Sequence, residues 1–575
     1  MPAFVYCHDR HDAAESGLDR SRLEGGGFQF DGRVKTRHGC FYYAAAPERC
    51  SHFLAPDGQG FAFLSGMLFY KGETAAAALR LLYDDFDRPA SVMAAAKGQF
   101  TIALYKKESL HLLSDPLGIN KIYHDQDSSL FSNRFIAVAR LIRSPRADVQ
   151  GCYEYAWNGV PFGRKTFVEE IKSVPPGHAV SCRESVALEA VPPPDLGEEV
   201  PDDEEELLRR HLGRLRDLTQ LYVRHFGSRF RVSLSGGYDS RLLLILLLEA
   251  GARPHLFVYG RKDDLECRLA RAIAEGEKLD FEQVDKSSPP RIAVSDYAAH
   301  LEGNVELFDG WKIDGLFDDG ADAPDRFARV RDGMVKVNGS VGEIYRNFFY
   351  LPDRSYAVRE LVWTFYSQYD PSACTRAFDP RGYEAAVARE IKDALALKGD
   401  RLARREVELA YPLFRARFWT AREVPINQGF GPCLFPFMEP DLIKGTCDIA
   451  IALKSHGLFE GRLMRRLNPR VAAYPSVYGH SFAEDPPLSH RLKAQLSYRR
   501  PPFLRRYAYR IRQRRKEPPP YFLERDYLRA VIDPDFPLMR RLFNVDRIND
   551  PDVLNRVATM EYILERINAA DTKER

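Results

Sequence analysis

The chain has 575 residues, with 83 Lys+Arg against 81 Asp+Glu and 45% hydrophobic residues. At about 150 residues per domain, this predicts about two to four domains with substantial buried cores. The formal charge of +2 supplies no global attraction for nucleic acid or anionic membranes, and the nine scattered Cys, with no C-x-x-C pair, indicate neither a zinc ribbon nor a disulfide framework.

Cysteine used in this way points to a reducing compartment, the cytoplasm. The N-terminal MPAFVYCHDRHD has no basic segment followed by a long apolar run. The most apolar stretch, Leu242 to Leu248, is far shorter than a bilayer span and reads as a buried helix. No integral membrane segment is expected.

In chain order, strand-like runs come first. Residues 60–69 (GFAFLSGMLF), 98–105 (GQFTIALY) and 109–113 (SLHLL) carry β-branched and aromatic residues between turn residues. A helical stretch at 74–85 intervenes. Residues 1–190 thus read as an α+β domain with antiparallel sheets. The segment 191–206, VPPPDLGEEVPDDEEE, reads as an acidic, Pro-rich linker: its prolines stiffen the chain, and its acids favour a helix N-terminus. After it the pattern alternates: helix 204–225, strand 229–235, helix 240–249 stopped by Gly251, strand 255–258, helix 265–277. Strands alternating with helices imply parallel βαβ units with right-handed crossovers. Beyond about residue 360 the chain reads as mostly helical, and no internal repeat is found.

The most informative segment is Leu234-Ser235-Gly236-Gly237-Tyr238-Asp239-Ser240, between a strand and a buried helix. Two glycines let the chain turn sharply and aim backbone N–H groups at one place. Ser235 and Ser240 add hydroxyls, and the helix N-terminus adds positive partial charge, which together suit a phosphate. Asp239 would repel that phosphate unless a divalent cation lies between them, which argues for Mg²⁺-bound pyrophosphate. The bland alternative is a tight turn that caps a helix through Asp239 or Ser240. No Walker-type or G-x-G-x-x-G motif is present.

The S-G-G-x-D-S string resembles the pyrophosphate loop of ATP-pyrophosphatases. Phe257-Val258-Tyr259-Gly260 and the helix at 266–275 narrow the resemblance to the asparagine synthetase family. The N-terminal region is similar to that family's glutaminase-type domain. Gly98–Tyr105 fits its G-x-F-A-x-x-x-Y strand, and Ser114–Tyr123 its R-D-x-x-G-x-x-P-L-Y hairpin. Phe131-Ser132-Asn133 fits its F-A-S-E, and Lys165–Phe167 with Val174–His178 fits its closing segment. The resemblance implies an N-terminal-nucleophile-type domain, 1–190, then an α/β parallel-sheet ATP-pyrophosphatase domain, 207–480. A basic, mostly helical extension would occupy 481–575. It also implies ATP and Mg²⁺ as cofactors, with Leu234, Ser235, Gly236, Gly237, Asp239 and Ser240 around pyrophosphate. Val258, Tyr259, Gly260, Asn338 and Gly339 would border adenine.

The departures are as informative. A glutamine-hydrolysing member needs Cys directly after the initiator Met, so that its free amine activates the thiol. Here the chain begins Met1-Pro2-Ala3, and Cys7 has no adjacent amine. The glutamine-holding N-G-E-I-Y-N segment maps to Ser65–Tyr70, with Met67 replacing the carboxylate. Asn338–Glu343 occupies the place of S-G-x-G-x-D-E, with Glu343 as a candidate metal ligand beside Asp239; an ordinary turn leading into a helix at 343–349 is the alternative. Phe435–Glu439 resembles R-x-P-F-L-D without its basic lead. Gly461–Arg466 resembles the phosphate-contacting K-x-x-L-R segment, which makes Arg462, then Arg465, the candidate cation.

These residues lead to an expected amide-forming ligase with a degenerate glutaminase domain. Its partners would be a small-molecule or peptide carboxylate and an amine or ammonia. A catalytically lapsed nucleotide-binding scaffold is the rival, and the sequence leaves room for a homodimer. Arg499 to Lys516 carries nine basic residues with interleaved Tyr and Phe, which suits nucleic-acid phosphates, an anionic lipid surface or an anionic substrate, or else a solvated helix face.

Overall fold

A computed structural model of the protein describes residues 3–8, 29–44, 50–55, 58, 60–199, 201–287 and 289–572. Two six-stranded antiparallel sheets form its first part. One runs Ile171–Ser173, Tyr123–Asp125, Leu130–Ser132, Ala3–His8, Gly39–Ala44, Gly32–Thr36. The other runs Val186–Ala190, His178–Cys182, Ser109–Ser114, Phe100–Lys106, Phe61–Gly66, Cys50–Leu54.

Alternation along each strand decides how the layers stack. Phe4, Tyr6 and Phe41 from the first sheet meet Phe61, Phe63 and Leu112 from the second in one buried cluster. The opposite face of the second sheet, with Ala62, Leu64 and Ile102, packs on the helix Ala75–Asp85 through Ala78, Leu79 and Leu82. The opposite face of the first, with Ala3, Val5 and Tyr42, joins the helices Phe135–Ala139 and Val149–Asn158 in the largest core. The expected strand at 60–69 is broken. Gly66 takes φ +99°, where a Cβ would collide with the carbonyl oxygen of Gln99, and the chain resumes as Phe69–Tyr70.

The segment read as a linker is pinned to the fold at several of its described residues. Leu196 is buried, its carbonyl accepts from Gly445 N at 2.9 Å, and Glu198 pairs with Arg214. The acids at its end are already helix: Glu204–Phe226 starts there, capped by Asp203, which accepts from Glu205 N at 3.1 Å.

The second part contains a five-stranded sheet, all parallel, in the order Phe281–Val284, His255–Tyr259, Phe230–Ser233, Val335–Val337, Cys433–Leu434. The helix Asp239–Glu249 buries every residue from Leu242 to Leu247, which is why it is apolar on all sides. The chain thus combines antiparallel sheets, a parallel sheet and helices, as the sequence pattern implied. The last helix, Pro551–Thr572, is core rather than appendage: Arg556 Nε donates to Ala156 O at 2.9 Å, and Thr559 Oγ1 accepts from Leu316 N at 2.8 Å. Among the described residues no helix is long and apolar enough to cross a membrane.

Buried polar contacts join the two parts. Glu439 accepts from Gly98 N at 3.1 Å and from Gln99 Nε2 at 2.8 Å. Gln428 donates to Gln99 O and accepts from Asn120 Nδ2, each at 2.9 Å.

Candidate nucleotide site

The strand order of the parallel sheet reverses between Phe230–Ser233 and Val335–Val337. The crevice beyond the carboxyl ends of strands at such a reversal is where open α/β sheets bind ligands. Both loops singled out from the sequence leave the sheet there. Leu234 extends the central strand, its N–H donating to Phe257 O at 2.8 Å, and the chain then folds over itself. Ser235 N donates to Ser240 Oγ at 3.1 Å, the two hydroxyls lie 2.9 Å apart, and Gly237 N reaches Ser235 Oγ at 3.3 Å. Gly339 closes on this loop, and a Cβ there would lie 3.3 Å from Ser240 N.

The glycines serve differently from the expectation of a sharp turn, since neither Gly236 nor Gly237 has positive φ. Gly236 is needed for close approach: a Cβ would collide with Val477 Cγ1, and Val477 N donates to Gly236 O at 3.1 Å. Gly237 is less crowded: a Cβ there would press on Ser235 Oγ at 3.3 Å, a tight contact that the hydroxyl can relieve by a small shift. The segment 474–482 lies over the loop, anchored by buried Arg241, which donates to Tyr474 O and Pro475 O at 2.7 Å each. Tyr238 packs into it with its ring tilted against that of Phe482, centroids 4.1 Å apart.

The charges beside the loop centre on Arg346. Its Nη2 bonds both oxygens of Asp239 at 2.7 and 2.8 Å, its Nε lies 3.1 Å from Glu460 Oε2, and Glu343 Oε1 is 3.6 Å away. Gly342 permits this, because a Cβ there would sit 2.5 Å from Asp239 Cγ. Glu343 also accepts from Tyr411 OH at 2.6 Å, at the head of a π-helical stretch, Tyr411–Thr420. Burial pushes Asp239 up to about 6, with Arg346 opposing the shift and Glu343 adding to it. Glu460, fully buried beside Asp239, is pushed well above the carboxylate range by burial first and by Asp239 second.

Three acids share one guanidinium, and neither oxygen of Glu460 makes a well-aligned hydrogen bond, Arg346 Nε being its charge contact at 3.1 Å. That carboxylate surplus fits a hard cation with oxygen ligands. Among the described residues no three metal-ligating side chains form a ready cage. Mg²⁺ does not require one, since it is commonly held by one or two carboxylates plus substrate phosphates. Asp239 and Glu343 are the two that would hold it.

On the side expected for adenine, Val258 is buried and Tyr259 half-exposed, its hydroxyl donating to Asp325 Oδ2 at 2.6 Å and its ring lying under Lys286 Nζ at 4.4 Å. Gly260 has φ +137° and receives Gln283 Nε2 on its carbonyl at 3.1 Å. Asn338 folds back on its own loop, accepting from Ser340 N and Oγ at 2.8 and 2.7 Å.

Arg462 and Arg465 are not brought to the loop. Both pair with Asp485, at 3.0 and 2.7 Å, and Arg462 also with Glu204. The same helix, Leu458–Leu467, presents Glu460 to the site instead. Sequence reading missed Arg346 and Glu460. The signal for Arg346 was its place three residues after Glu343; Glu460 had none.

The other expected chemistry is also placed. Met67 sits at the break in its strand, its N–H donating to Gln99 O at 2.9 Å. Cys7 is buried inside the strand Ala3–His8, opposite Cys40 and Leu130. Pro2 lies outside the described residues.

No protein-family model matches the chain, and no curated protein matches it. Among solved structures it is similar to the glutamine phosphoribosylpyrophosphate amidotransferase from B. subtilis complexed with ADP and GMP, at 11% identity and TM-score 0.21, over 49% of this chain and 65% of that one.

Proposed function

We propose that the protein is an ATP-dependent ligase that activates a small-molecule or peptide carboxylate as an acyl-adenylate and transfers it to ammonia or an amine. It does not generate that ammonia from glutamine. One observation carries the reading: a serine–glycine loop opening a buried helix, at the reversal point of a parallel sheet, beside a cluster of acids and one arginine.

In this reading the backbone N–H groups at the start of the helix Asp239–Glu249 and the hydroxyls of Ser235 and Ser240 bind the pyrophosphate part of ATP. Arg346 turns from Asp239 toward the phosphate charge, where its planar fork suits an anion. Bound Mg²⁺ supplies neutralisation of the phosphates. Tyr478 and Val477 cover the loop and limit water. Tyr259, Gly260, Asn338 and Gly339 flank the base. The protein contributes mainly positioning and charge compensation. The test is ATP–pyrophosphate exchange over a panel of carboxylates, each with ammonia and amines present; carboxylate-dependent exchange supports the ligase.

A second reading, a nucleotide-binding scaffold, is favoured by one feature. Asp239 is already held by Arg346, and an acid, Glu460, stands where a basic group was expected. ATP binding with no exchange for any carboxylate selects the scaffold.

A further inference from the structure

Two consecutive helices, Leu488–Arg499 and Pro502–Gln513, turn an apolar stripe to solvent. Leu488, Leu492 and Leu496 recur at i, i+4 and i+8 and are 75%, 68% and 76% exposed. Phe503, Tyr507 and Ile511 repeat the spacing on the second helix at 48%, 44% and 73%. Seven of the seventeen exposed large hydrophobic residues among those described lie on these two short helices. Such concentration marks an interaction surface, whereas scattered single residues need no explanation.

The inner faces are fixed to the body. Tyr498 OH accepts from His456 N at 3.2 Å, Arg505 Nη1 donates to Phe349 O at 2.6 Å, and Tyr509 OH donates to Thr364 O at 2.7 Å. The outward stripe is therefore a held feature of the fold.

Charge identifies the occupant. Residues 488–516 contain eleven Lys and Arg and no Asp or Glu. Lys493, Arg499, Arg512, Arg514, Arg515 and Lys516 are exposed around the stripe. A second copy docking on this face would bring like charges together. A nucleic acid would take the arginines but offer no apolar phase for leucine and isoleucine tips. A bilayer with anionic headgroups accepts both, as amphipathic helices with basic flanks do.

We propose that this helix pair docks the protein onto an anionic lipid surface, with the Leu488/Leu492/Leu496 and Phe503/Tyr507/Ile511 stripes in the acyl boundary and the arginines at the headgroups. The docked face adjoins the nucleotide site: His490 lies against Tyr478, ring centroids 6.2 Å apart, and Tyr478 covers the loop.

The test is co-sedimentation of the full chain with vesicles of phosphatidylcholine alone or mixed with phosphatidylglycerol. Binding is expected to the mixed vesicles only. Leu492→Ser with Leu496→Ser should weaken it by about tenfold or more, because two exposed apolar chains no longer partition. Arg512→Ala with Arg515→Ala should weaken it by about 30-fold, at roughly 1 kcal/mol per charge near the surface. Circular dichroism and an unchanged thermal midpoint establish that both variants fold, since the four side chains are exposed. Three results overturn the proposal: no sedimentation of the wild type with phosphatidylglycerol vesicles, undiminished binding by the leucine variant, or a leucine-dependent dimer in light scattering. Binding of an RNA duplex that the leucine variant retains, without vesicle binding, assigns the surface to nucleic acid instead.

Discussion

A single nitrogen of Arg346, Nη2, reaches both carboxylate oxygens of Asp239, at 2.7 and 2.8 Å. The residue that would carry a cation for the nucleotide is thus already neutralised from within the chain. Under the proposed function, an incoming phosphate would have to draw Arg346 away from Asp239. Removing one partner from a buried ion pair typically costs about 3–5 kcal/mol. Arg346→Ala should accordingly lower the thermal midpoint by several degrees and reduce pyrophosphate exchange by about 10²–10³-fold. Arg346→Lys should recover most of the stability and less of the exchange, because lysine has no planar fork. Differential scanning fluorimetry and exchange on the same samples separate the two effects.

Glu460→Gln should stabilise the free protein above neutral pH. The wild-type carboxyl is buried against Asp239, and burial and Asp239 together outweigh Arg346 Nε at 3.1 Å, so its ionised form is disfavoured there. Its folded pKa lies above the unfolded value, so its favourable contribution belongs to acid pH and is lost as pH rises. Glutamine removes that loss. A thermal midpoint that is no higher than the wild type's at pH 8 would show that the acid is compensated by another group.

The two loop glycines should separate by function. Gly236→Ala places a methyl into Val477 and should destabilise by about 1–3 kcal/mol, the usual cost of overpacking. Gly237→Val should cost less stability than Gly236→Ala, because a Cβ there meets the Ser235 hydroxyl at 3.3 Å rather than a packed Val477 methyl, and under the proposed function it should weaken ATP binding. Calorimetric titration of ATP against both variants, beside their unfolding curves, gives the answer. Equal loss of stability in both would mean that the loop is structural only.

Glu439 gives a pH prediction. Burial pushes its carboxyl up to about 7, against the pull of Gly98 N and Gln99 Nε2. The raised value means stability that is complete below the ordinary glutamate range, near 4.5, and is lost as pH rises through about 7. Glu439→Gln should flatten the unfolding free energy across that window, measured by urea denaturation at a series of pH values.

Glutamate release from glutamine should be absent. Met67 offers no carboxylate, and Cys7 is locked in a strand interior facing the core. Steady glutamate formation abolished by Cys7→Ser would overturn this.

The strand-to-helix turn at 234–240 was legible because Gly, Ser and Asp declare backbone shape locally. The parallel sheet was legible for a similar reason: each strand–helix alternation is a local pattern of apolar residues. The layering of the antiparallel part was only half visible, since both faces of Ala3–His8 are apolar and alternation alone cannot say which face meets the second sheet. Arg346 and Glu460 belong to a tertiary cluster built from a short 3₁₀ turn and a helix more than a hundred residues away from each other. Reading that helix for a basic residue selected Arg462, but two residues are about 200° of helical rotation. The helix that turns Glu460 inward must turn Arg462 out, toward Asp485.

The contacts of Glu439 with Gly98 and Gln99, and of Gln428 with Asn120, mean that covalent continuity near the three prolines is not what keeps the halves of this molecule together. Chain severed at Pro192–Pro194 would still copurify as one particle, since Ala3 and Val5 share an uninterrupted core with Leu434 and Val557. Either half expressed alone would present that shared core to water. The bead-on-a-string picture suggested by the prolines gives way to a molecule that has to be made, and purified, whole.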